Sequence, residues 1–340
     1  MFSGGLDSIL AARIMKDEGF EVIALHFYTG FNGVLARDIE RGRSVKWTPG
    51  ENVVRAAENL GIQLVPMDVS GEYLDIILKP RYGYGSAANP CIDCRIFLLT
   101  KGREVMERED AVVVFTGEVL GQRPMSQYKN TLRLVEKRSG LEGRLLRPLS
   151  AKFLDPTIPE KEGIIDRSRL YDIQGRSRKR QKELTRKFGI DSYPSPGGGC
   201  VLTARQFGEK FNDLVAHAKG RKLTLTDLTS LLTGRHLRLD SGVKVIVGRT
   251  EVENNYLKEV LLPDYWLFEA RDFKGPAVFA LDEPGEDDFL VISAITARYG
   301  KGVKEKSVAV TAKKGDVEKE YEVKPAVQKE TKRLLISRDE

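Results

Sequence analysis

The stretch Ser3-Gly4-Gly5-Leu6-Asp7-Ser8 stands directly before an amphipathic segment, residues 8–19, and decides the fold of the first half of the chain. Its two glycines let backbone N–H groups converge without side-chain obstruction. The helix that follows offers unpaired N–H groups and its positive end to an anion. The two serines add hydroxyl donors, and Asp7 is a carboxylate that can ligate Mg²⁺. The stretch therefore predicts a phosphate-binding turn rather than a plain capped turn.

Helical and strand patterns alternate through about the first 150 residues. Helices are predicted in residues 8–19, with Ser8 as cap and Gly19 as stop, 51–61 and 93–109, and strands in 20–29, 62–70 and 111–118. This order predicts an α/β fold with a parallel, doubly wound sheet, whose ligands bind at the carboxyl ends of the strands. The sequence predicts three domains: residues 1–155 for this fold, 156–235 for a small basic helical segment, and 236–340 for an α+β domain of short strands. The charged tail after residue 312 can form an edge hairpin.

Charge and cysteine usage restrict the partners and the compartment. The chain has 340 residues, 55 of them Lys or Arg and 49 Asp or Glu, so its net charge is +6. The excess is concentrated in the basic segment, which predicts contacts with the phosphates of a nucleic acid backbone rather than with its bases. The residues concerned are Arg176, Arg178, Lys179, Arg180, Lys182, Arg186 and Lys187. The sequence contains no secretory signal and no apolar run of membrane length, and three cysteines cannot all pair. We expect a cytoplasmic protein without a membrane partner.

The three cysteines predict chemistry rather than core packing. Cys91 and Cys94 form a C-x-x-C at the start of a predicted helix, which favours thiolate, and Cys200 follows three glycines. Zinc is the weaker prediction, since a structural site usually needs four ligands. Two hypotheses remain open. In one, Cys200 carries a persulfide and Cys94 is its redox partner. In the other, the three thiolates hold a [4Fe–4S] cluster with one iron open for sulfide.

The glycine turn resembles the PP-loop of the ATP pyrophosphatase superfamily, whose fold is adenine-nucleotide alpha-hydrolase-like. With the C-x-x-C and the distal cysteine, residues 1–215 resemble the tRNA thiolation enzymes, especially the tRNA 2-thiouridine synthases. This resemblance implies that ATP and Mg²⁺ bind at Ser3, Gly4, Gly5, Asp7 and Ser8, that a uracil carbonyl oxygen is adenylated, and that sulfur displaces AMP. It further implies that Cys200 bears the sulfur, that Cys94 is its partner, and that Cys91 is the third ligand where a cluster is used. The sulfur donor would be sulfide or a persulfide carrier protein.

Two further features belong to this resemblance. Residues 115–127 are similar to the nucleotide loop of the family, which implies that Gly117 lies near the adenosine and Gln122 along the substrate path. The family has an apolar strand before the glycine turn, whereas only Met1 and Phe2 precede it here. We therefore expect the natural start to lie upstream, and a slot in the core where the strand would run.

Residues 237–315 resemble the RNA-binding domain of the NFACT ribosome quality-control proteins. The matched positions are Gly248-Arg249, Asn254-Asn255, Trp266, Arg271-Asp272 and Gly275-Pro276. The resemblance implies docking of folded RNA by shape and backbone, with Arg249 and Arg271 among the contacts. The leading hypothesis is an ATP-dependent tRNA sulfurtransferase. The alternatives are a PP-loop enzyme or sulfur transferase acting on a small molecule, and a non-catalytic RNA-binding quality-control factor.

Overall fold

The computed structural model describes residues 1–31, 49–194, 200–218 and 220–337. These residues form two compact units. The first takes in residues 1–29, 49–85 and 89–194, and the second takes in residues 30–31, 86–88, 200–218 and 220–337. The predicted glycine turn before Cys200, residues 195–199, lies outside the described residues.

The first unit alternates helices with short strands, as the sequence predicts for an α/β fold. In chain order its elements are α1 Leu6–Asp17, β1 Ile23–Tyr28, α2 Glu51–Leu60, β2 Gln63–Asp68, α3 Ser70–Leu78, α4 Cys91–Arg108, β3 Val114–Phe115, α5 Lys129–Arg138, β4 Leu145–Leu146, α6 Ile158–Lys161 and α7 Lys179–Phe188. Strands β1 and β2 pair in parallel, and so do β3 and β4. The predicted third strand is much shorter than the eight residues of its apolar run.

Met1 and Phe2 contact both parallel pairs. The Phe2 N–H donates to the Leu25 carbonyl in β1 at 2.7 Å, and the Met1 amino group donates to the Phe115 carbonyl in β3 at 2.8 Å. A cavity of about 310 Å³ lies beside them, lined by Met1 and by residues of β1, α4 and β3. The two residues thus satisfy strand-edge groups that would otherwise have no partner at this place.

The glycines predicted to end helices do so, whereas the serine predicted to cap a helix does not. Gly19 has φ +88° just beyond α1, and Gly61 ends α2 in the left-handed region at φ +57°, as predicted for helix stops. The prediction of Ser8 as the cap is wrong, because α1 begins at Leu6 with Gly5 in the cap position. Ser8 lies inside the first turn, and its hydroxyl donates to the Gly5 carbonyl at 2.8 Å.

The second unit is built on an antiparallel sheet. Its elements are α8 Arg205–Ala216, α9 Leu225–Ser230, β5 Arg235–Arg238, β6 Lys244–Val247, α10 Glu251–Leu261, β7 Trp266–Ala270, β8 Val278–Ala280, α11 Glu286–Tyr299, β9 Val308–Lys314, β10 Val317–Val323 and α12 Gln328–Leu334. The sheet has six strands in the order β10-β9-β7-β8-β6-β5. The predicted edge hairpin is confirmed, since β9 and β10 pair around Gly315 and β10 is the edge strand.

A buried ion cluster ties α8 to this sheet. Lys244 in β6 is 1% exposed, and its ammonium lies 3.1 Å from the Asp213 carboxylate of α8. Arg238 in β5 reaches the same carboxylate at 2.5 Å. Burial lowers the pKa of Lys244 to about 8, although Asp213 opposes the shift. Removing one partner from such a cluster leaves an unpaired buried charge, which costs about 3–5 kcal/mol.

Protonation of His236 should destabilise the protein at mildly acidic pH. His236 is fully buried in β5, and burial, with the charges of Lys210 and Lys244, holds its pKa well below the ordinary value. Below about pH 6.5 the His236 imidazole takes up a proton in the unfolded chain but not in the folded chain. Its contribution to the free energy of unfolding is therefore complete above about pH 6.5 and is lost as the pH falls below that value. We expect a smaller slope for His236→Asn, with His26 and the Met1 amino group supplying the remainder, because burial lowers the pKa of both, that of Met1 to about 5.

The measurement is the free energy of unfolding by denaturant between about pH 5.5 and pH 7.5, for the wild type and for His236→Asn. Equal slopes in the two proteins would contradict this role of His236.

Candidate functional site

The glycine turn forms a cradle at the start of α1. Gly4 has φ +70°, and a Cβ there would lie 2.8 Å from the Val53 side chain of α2, so only glycine fits. Gly5 then caps the helix in an extended conformation, and its carbonyl accepts from the N–H groups of Ser8 and Ile9. The Ser3 hydroxyl donates to the Ser8 hydroxyl at 3.2 Å. Hydroxyl groups and first-turn N–H groups therefore meet at one point, the arrangement that binds phosphate.

Gly117 brings the end of β3 against the first turn of α1. A Cβ on Gly117 would lie 2.5 Å from the backbone carbon of Asp7 and from the nitrogen of Ser8. Any side chain here would push the helix start away from the strand. Gly117 and the glycine turn therefore lie against each other within one unit, and the predicted proximity of Gly117 to the adenosine stays a prediction.

Asp7 has one carboxylate oxygen bonded and one without a partner. Gln122 donates from its side-chain amide to Asp7 Oδ2 at 2.8 Å. Asp7 Oδ1 is buried and has no hydrogen-bond partner among the described residues. An orphaned carboxylate oxygen at the mouth of a phosphate cradle is a ligand that Mg²⁺ prefers. The donor set thus fits the predicted use of Mg²⁺ with ATP.

A buried ion network connects Gly117 to the cysteine helix. Glu118, 3% exposed, lies 2.9 Å from the Arg95 guanidinium of α4 and 3.2 Å from that of Arg147. Burial alone would raise the pKa of the Glu118 carboxyl, but Arg95 and Arg147 lower it below its ordinary value. The carboxylate is therefore charged, and it fixes the residue after Cys94 beside the residue after Gly117.

Cys91 and Cys94 lie in the first turn of α4, which Pro90 precedes in the cap position. Asn89 donates from its side-chain amide to Cys91 Sγ at 3.1 Å. The buried Asp93 carboxylate accepts from the backbone N–H groups of Arg81 and Tyr82, both at 3.0 Å, which holds the preceding loop.

The prediction that the helix start favours a Cys94 thiolate is wrong for this structure. Burial raises the pKa of the Cys94 thiol, and the opposing effects of the Tyr73 hydroxyl and of Arg95 are smaller. Cys94 as a residue is half-buried. The protein atoms around its sulfur nevertheless exclude enough water for desolvation to raise the pKa of the thiol.

Cys200 belongs to the second unit and is exposed. It precedes a short 3₁₀ turn, Val201–Thr203, and its carbonyl accepts from the Thr203 hydroxyl at 2.6 Å. No disulfide joins any two of the three cysteines. Across the ranges that the structure describes, no group of three or more His, Cys, Asp or Glu side chains is placed to hold a metal ion. Cys91 and Cys94 belong to the first unit and Cys200 to the second, so the [4Fe–4S] cluster stays a prediction.

Helix α7 carries most of the predicted basic residues, and one of its faces is unpaired. Arg180 lies 3.3 Å from Asp172. Arg176, Arg178, Lys179, Lys182 and Arg186 make no ion pair with any described residue. All of these except the half-buried Arg178 are exposed. The opposite face packs into the core through Leu184. It also presents Gln181, whose side-chain amide donates to Gln122 Oε1 at 3.0 Å. The basic surface is thus directly connected to the residues that hold Asp7.

The two arginines predicted to contact RNA in the second unit are already paired. Arg249 makes a two-pronged contact with Glu253 in α10, at 2.5 and 3.0 Å. Arg271 pairs with Asp272 at 3.0 Å and with Glu320. Their positive charge is largely neutralised within the fold. Their role in RNA binding stays a prediction.

Other matched positions of the second unit support its fold. A Cβ on Gly248 would collide with the Asn254 side chain, whose oxygen accepts from the Ala277 N–H at 3.1 Å. Trp266 donates from its indole to Glu283 at 2.8 Å and packs edge-on against Phe289. These residues join β6, α10, β7 and α11 into one core.

Each of the two units contains a match to a known protein family. Residues 1–118 match the family described as the tRNA methyl transferase HUP domain. Residues 234–335 match the NFACT protein RNA binding domain. Both resemblances predicted from the sequence are thereby confirmed.

Curated relatives of this chain are also tRNA-modifying enzymes. The chain is 33% identical over 102 residues to the tRNA-specific 2-thiouridylase MnmA of Endomicrobium trichonymphae, an alignment that covers 28% of each chain. It is 22% identical over 257 residues to the enzyme of the same name from Nitrobacter hamburgensis, covering 73% of this chain and 59% of the relative. The chain thus spans less than two thirds of the length of either relative.

Among solved structures, the C-terminal part of the fibronectin/fibrinogen-binding protein from Streptococcus suis is 14% identical, with a TM-score of 0.28. The match covers 72% of this chain and 94% of that one. No helix within the described ranges is long and apolar enough to cross a membrane.

Sequence reasoning missed Arg95, Glu118, Arg147 and Gln181. Arg95, Glu118 and Arg147 are polar residues inside or beside apolar runs, Gln181 lies within the basic stretch, and only the fold brings the four to the site. The adjacency of Glu118 to Gly117 and of Arg95 to Cys94 was the available signal, since opposite charges next to two site motifs can pair.

Gly117→Ala should destabilise the first unit and weaken nucleotide binding together. The new methyl group would overlap backbone atoms of Asp7 and Ser8, so the helix start must shift. Overpacking of this kind costs about 1–3 kcal/mol.

The measurement is unfolding by denaturant together with the Kd for Mg·ATP. Gly71→Ala is the matched control, because its Cβ would meet nothing within 4 Å and alanine favours α3. A Gly117→Ala protein as stable as the control would show that the close approach is not required.

Proposed function

We propose that this chain thiolates a uridine of tRNA in an ATP-dependent reaction. The observation that carries the proposal is the junction at β3, where Gly117 packs on the glycine turn and Glu118 holds Arg95 beside Cys94. A phosphate cradle and a cysteine helix are thereby fixed in one unit. The relatives named as tRNA-specific 2-thiouridylases support the same reaction.

The first step is adenylation. The glycine turn and the first N–H groups of α1 would bind the phosphates of ATP, and Asp7, whose Oδ1 has no hydrogen-bond partner among the described residues, would hold Mg²⁺. Mg²⁺ supplies charge neutralisation on the phosphate oxygens. A uracil carbonyl oxygen attacks the α-phosphorus, pyrophosphate leaves, and the base becomes an O-adenylate. Backbone donors fixed by Gly4 and Gly117 stabilise the developing charge without reorganising.

The second step is sulfur transfer. A persulfide on Cys200, formed when its thiolate takes the terminal sulfur of a persulfide carrier protein and the carrier's thiolate leaves, attacks the activated carbon through its terminal sulfur, and AMP leaves. Cys94 then attacks Cys200 Sγ, so the S–S bond breaks and its electron pair stays on the thiouridine sulfur. The products are 2-thiouridine-type base and a Cys94–Cys200 disulfide, which a thiol reductant must reduce before the next turnover. The free thiols are consistent with a cytoplasmic enzyme.

We further propose that the two parallel pairs form one doubly wound sheet. The hydrogen bonds of Phe2 to β1 and of Met1 to β3 support an order with residues 1–2 between the pairs. The carboxyl ends of the strands then face the glycine turn, as in other open α/β folds. We also propose the domain limits 1–155, 156–235 and 236–340, with the last as the RNA-binding domain, supported by the match over 234–335.

Variants of Asp7 and of the cysteines should separate the two steps. Asp7→Asn removes the charge that holds Mg²⁺ and is expected to abolish both AMP release and thiolation. Cys94→Ser and Cys200→Ser leave the cradle intact and are expected to release pyrophosphate in the presence of tRNA but form no thiouridine.

The measurement is pyrophosphate and AMP by chromatography and thiouridine by mass spectrometry of digested tRNA. Cys91→Ser is the matched control, expected to retain both activities under the persulfide mechanism. Loss of thiolation in Cys91→Ser, with iron in the anaerobically purified protein, would favour the cluster instead. AMP release without any effect of tRNA would favour a small-molecule substrate, and absence of turnover would favour a quality-control factor.

The unpaired face of α7 should bind the RNA backbone. Replacing Lys182 and Arg186 by Gln removes two exposed charges that have no carboxylate partner in the described residues. The affinity for tRNA should fall, and the slope of log K against log salt should become shallower by about one for each phosphate that the helix no longer neutralises.

Arg55→Gln is the control, because Arg55 is exposed on α2 and already paired with Glu51. Both proteins are titrated with one tRNA transcript over a range of salt concentrations. An unchanged slope in the α7 variant would remove this helix from the RNA-binding surface.

A further inference from the structure

Gln181 lies buried at the start of the basic helix. It is 0% exposed, and its amide nitrogen donates to Gln122 Oε1 at 3.0 Å. Gln122 in turn donates to Asp7 Oδ2 at 2.8 Å. A chain of two hydrogen bonds therefore runs from α7 to the carboxylate in the glycine turn.

Asp7 dictates the donor and acceptor directions of these two hydrogen bonds. A carboxylate only accepts, so Gln122 must turn its NH₂ group toward Asp7 and its oxygen toward Gln181. That oxygen needs a donor, and Gln181 supplies one. A residue at position 181 that cannot donate leaves Gln122 free to turn its amide away from Asp7.

The cost of burying this glutamine indicates a role beyond packing. Gln181 Oε1 is buried with no hydrogen-bond partner among the described residues, and an unsatisfied buried acceptor costs about 1–3 kcal/mol. Its neighbours on the inner face of α7 include Leu184, which packs in the hydrophobic core. An apolar side chain of the same length would fill the space without that cost.

We propose that Gln181 is a positioning residue for Asp7, acting through Gln122. The helix whose outer face presents Lys182 and Arg186 to RNA thus also orients, through its inner face, the carboxylate of the nucleotide site. The inference rests on the proposed binding of Mg·ATP at Asp7.

The test compares Mg·ATP and RNA binding in matched variants of the full chain. Gln181→Met keeps the length of the side chain and removes its donor, and should raise the Kd for Mg·ATP about tenfold, as for removal of one well-placed hydrogen bond. The Kd for a tRNA transcript should change less than about twofold, because the outer face of α7 is untouched. Thr185→Val is the control: Thr185 is buried on the same helix, and its hydroxyl donates only to the Lys182 carbonyl.

A double-mutant cycle supplies the decisive readout. Gln122→Met and Gln181→Met should each weaken Mg·ATP binding. The double variant should bind Mg·ATP no more weakly than Gln122→Met alone, because both substitutions interrupt the same series of hydrogen bonds. Additive effects, or parallel losses of ATP and RNA affinity with a lower Tm, would overturn the proposal. Gln181→Leu, which is shorter and also has no donor, repeats the test if Gln181→Met fails to fold.

The wild type and Asp7→Asn are measured first. If the wild type does not bind Mg·ATP, or if Asp7→Asn binds it equally well, the proposed function fails. If those two differ as expected and Gln181→Met behaves like the wild type, the positioning role alone fails.

Discussion

The buried charge of Glu118 is the constraint on which the arrangement of the first unit depends. Its carboxylate is buried away from water, so Arg95 and Arg147 must stay within hydrogen-bonding distance of it. Arg147 also reaches Glu136 of α5 at 3.1 Å. Helices α4 and α5 and the residue after β4 are thereby held to one point, and any movement that separated them would leave an unpaired charge in the interior.

Close backbone packing completes what the ion network begins. Gly117 lets β3 approach α1 to a distance that no side chain allows, and Gly4 does the same for the turn against α2. Because Glu118 follows Gly117 directly, the ion pair and the close approach fix the same piece of chain from two sides. The glycine turn and the cysteine helix are consequently held by the same piece of chain. The proposed adenylation and sulfur transfer require such fixed positions.

The sequence predicts what depends on local chemistry and misses what depends on distant partners. Gly19 and Gly61 end their helices because glycine enters the left-handed region at little cost, a property readable from sequence. Ser8 is not the cap, because Gly5, in an extended conformation, already occupies the cap position. The raised pKa of the Cys94 thiol comes from burial, which is a tertiary effect. Neither the pairing of Glu118 nor the contact of Gln181 with Gln122 has a signature in spacing, since each joins residues brought together by folding.

The distribution of paired and unpaired cations assigns different tasks to the two basic regions. In the second unit Arg249 and Arg271 pair with Glu253, Asp272 and Glu320, so they hold the fold more than they attract phosphate. In the same unit, Lys304 and Lys306 are exposed and have no ion pair with any described residue. An unpaired lysine adds its full charge to the attraction of the RNA backbone and displaces counterions from it, whereas a paired arginine is already neutralised. The RNA contacts proposed for α7 therefore rest on unpaired charge, whereas those predicted for Arg249 and Arg271 would first have to break an ion pair.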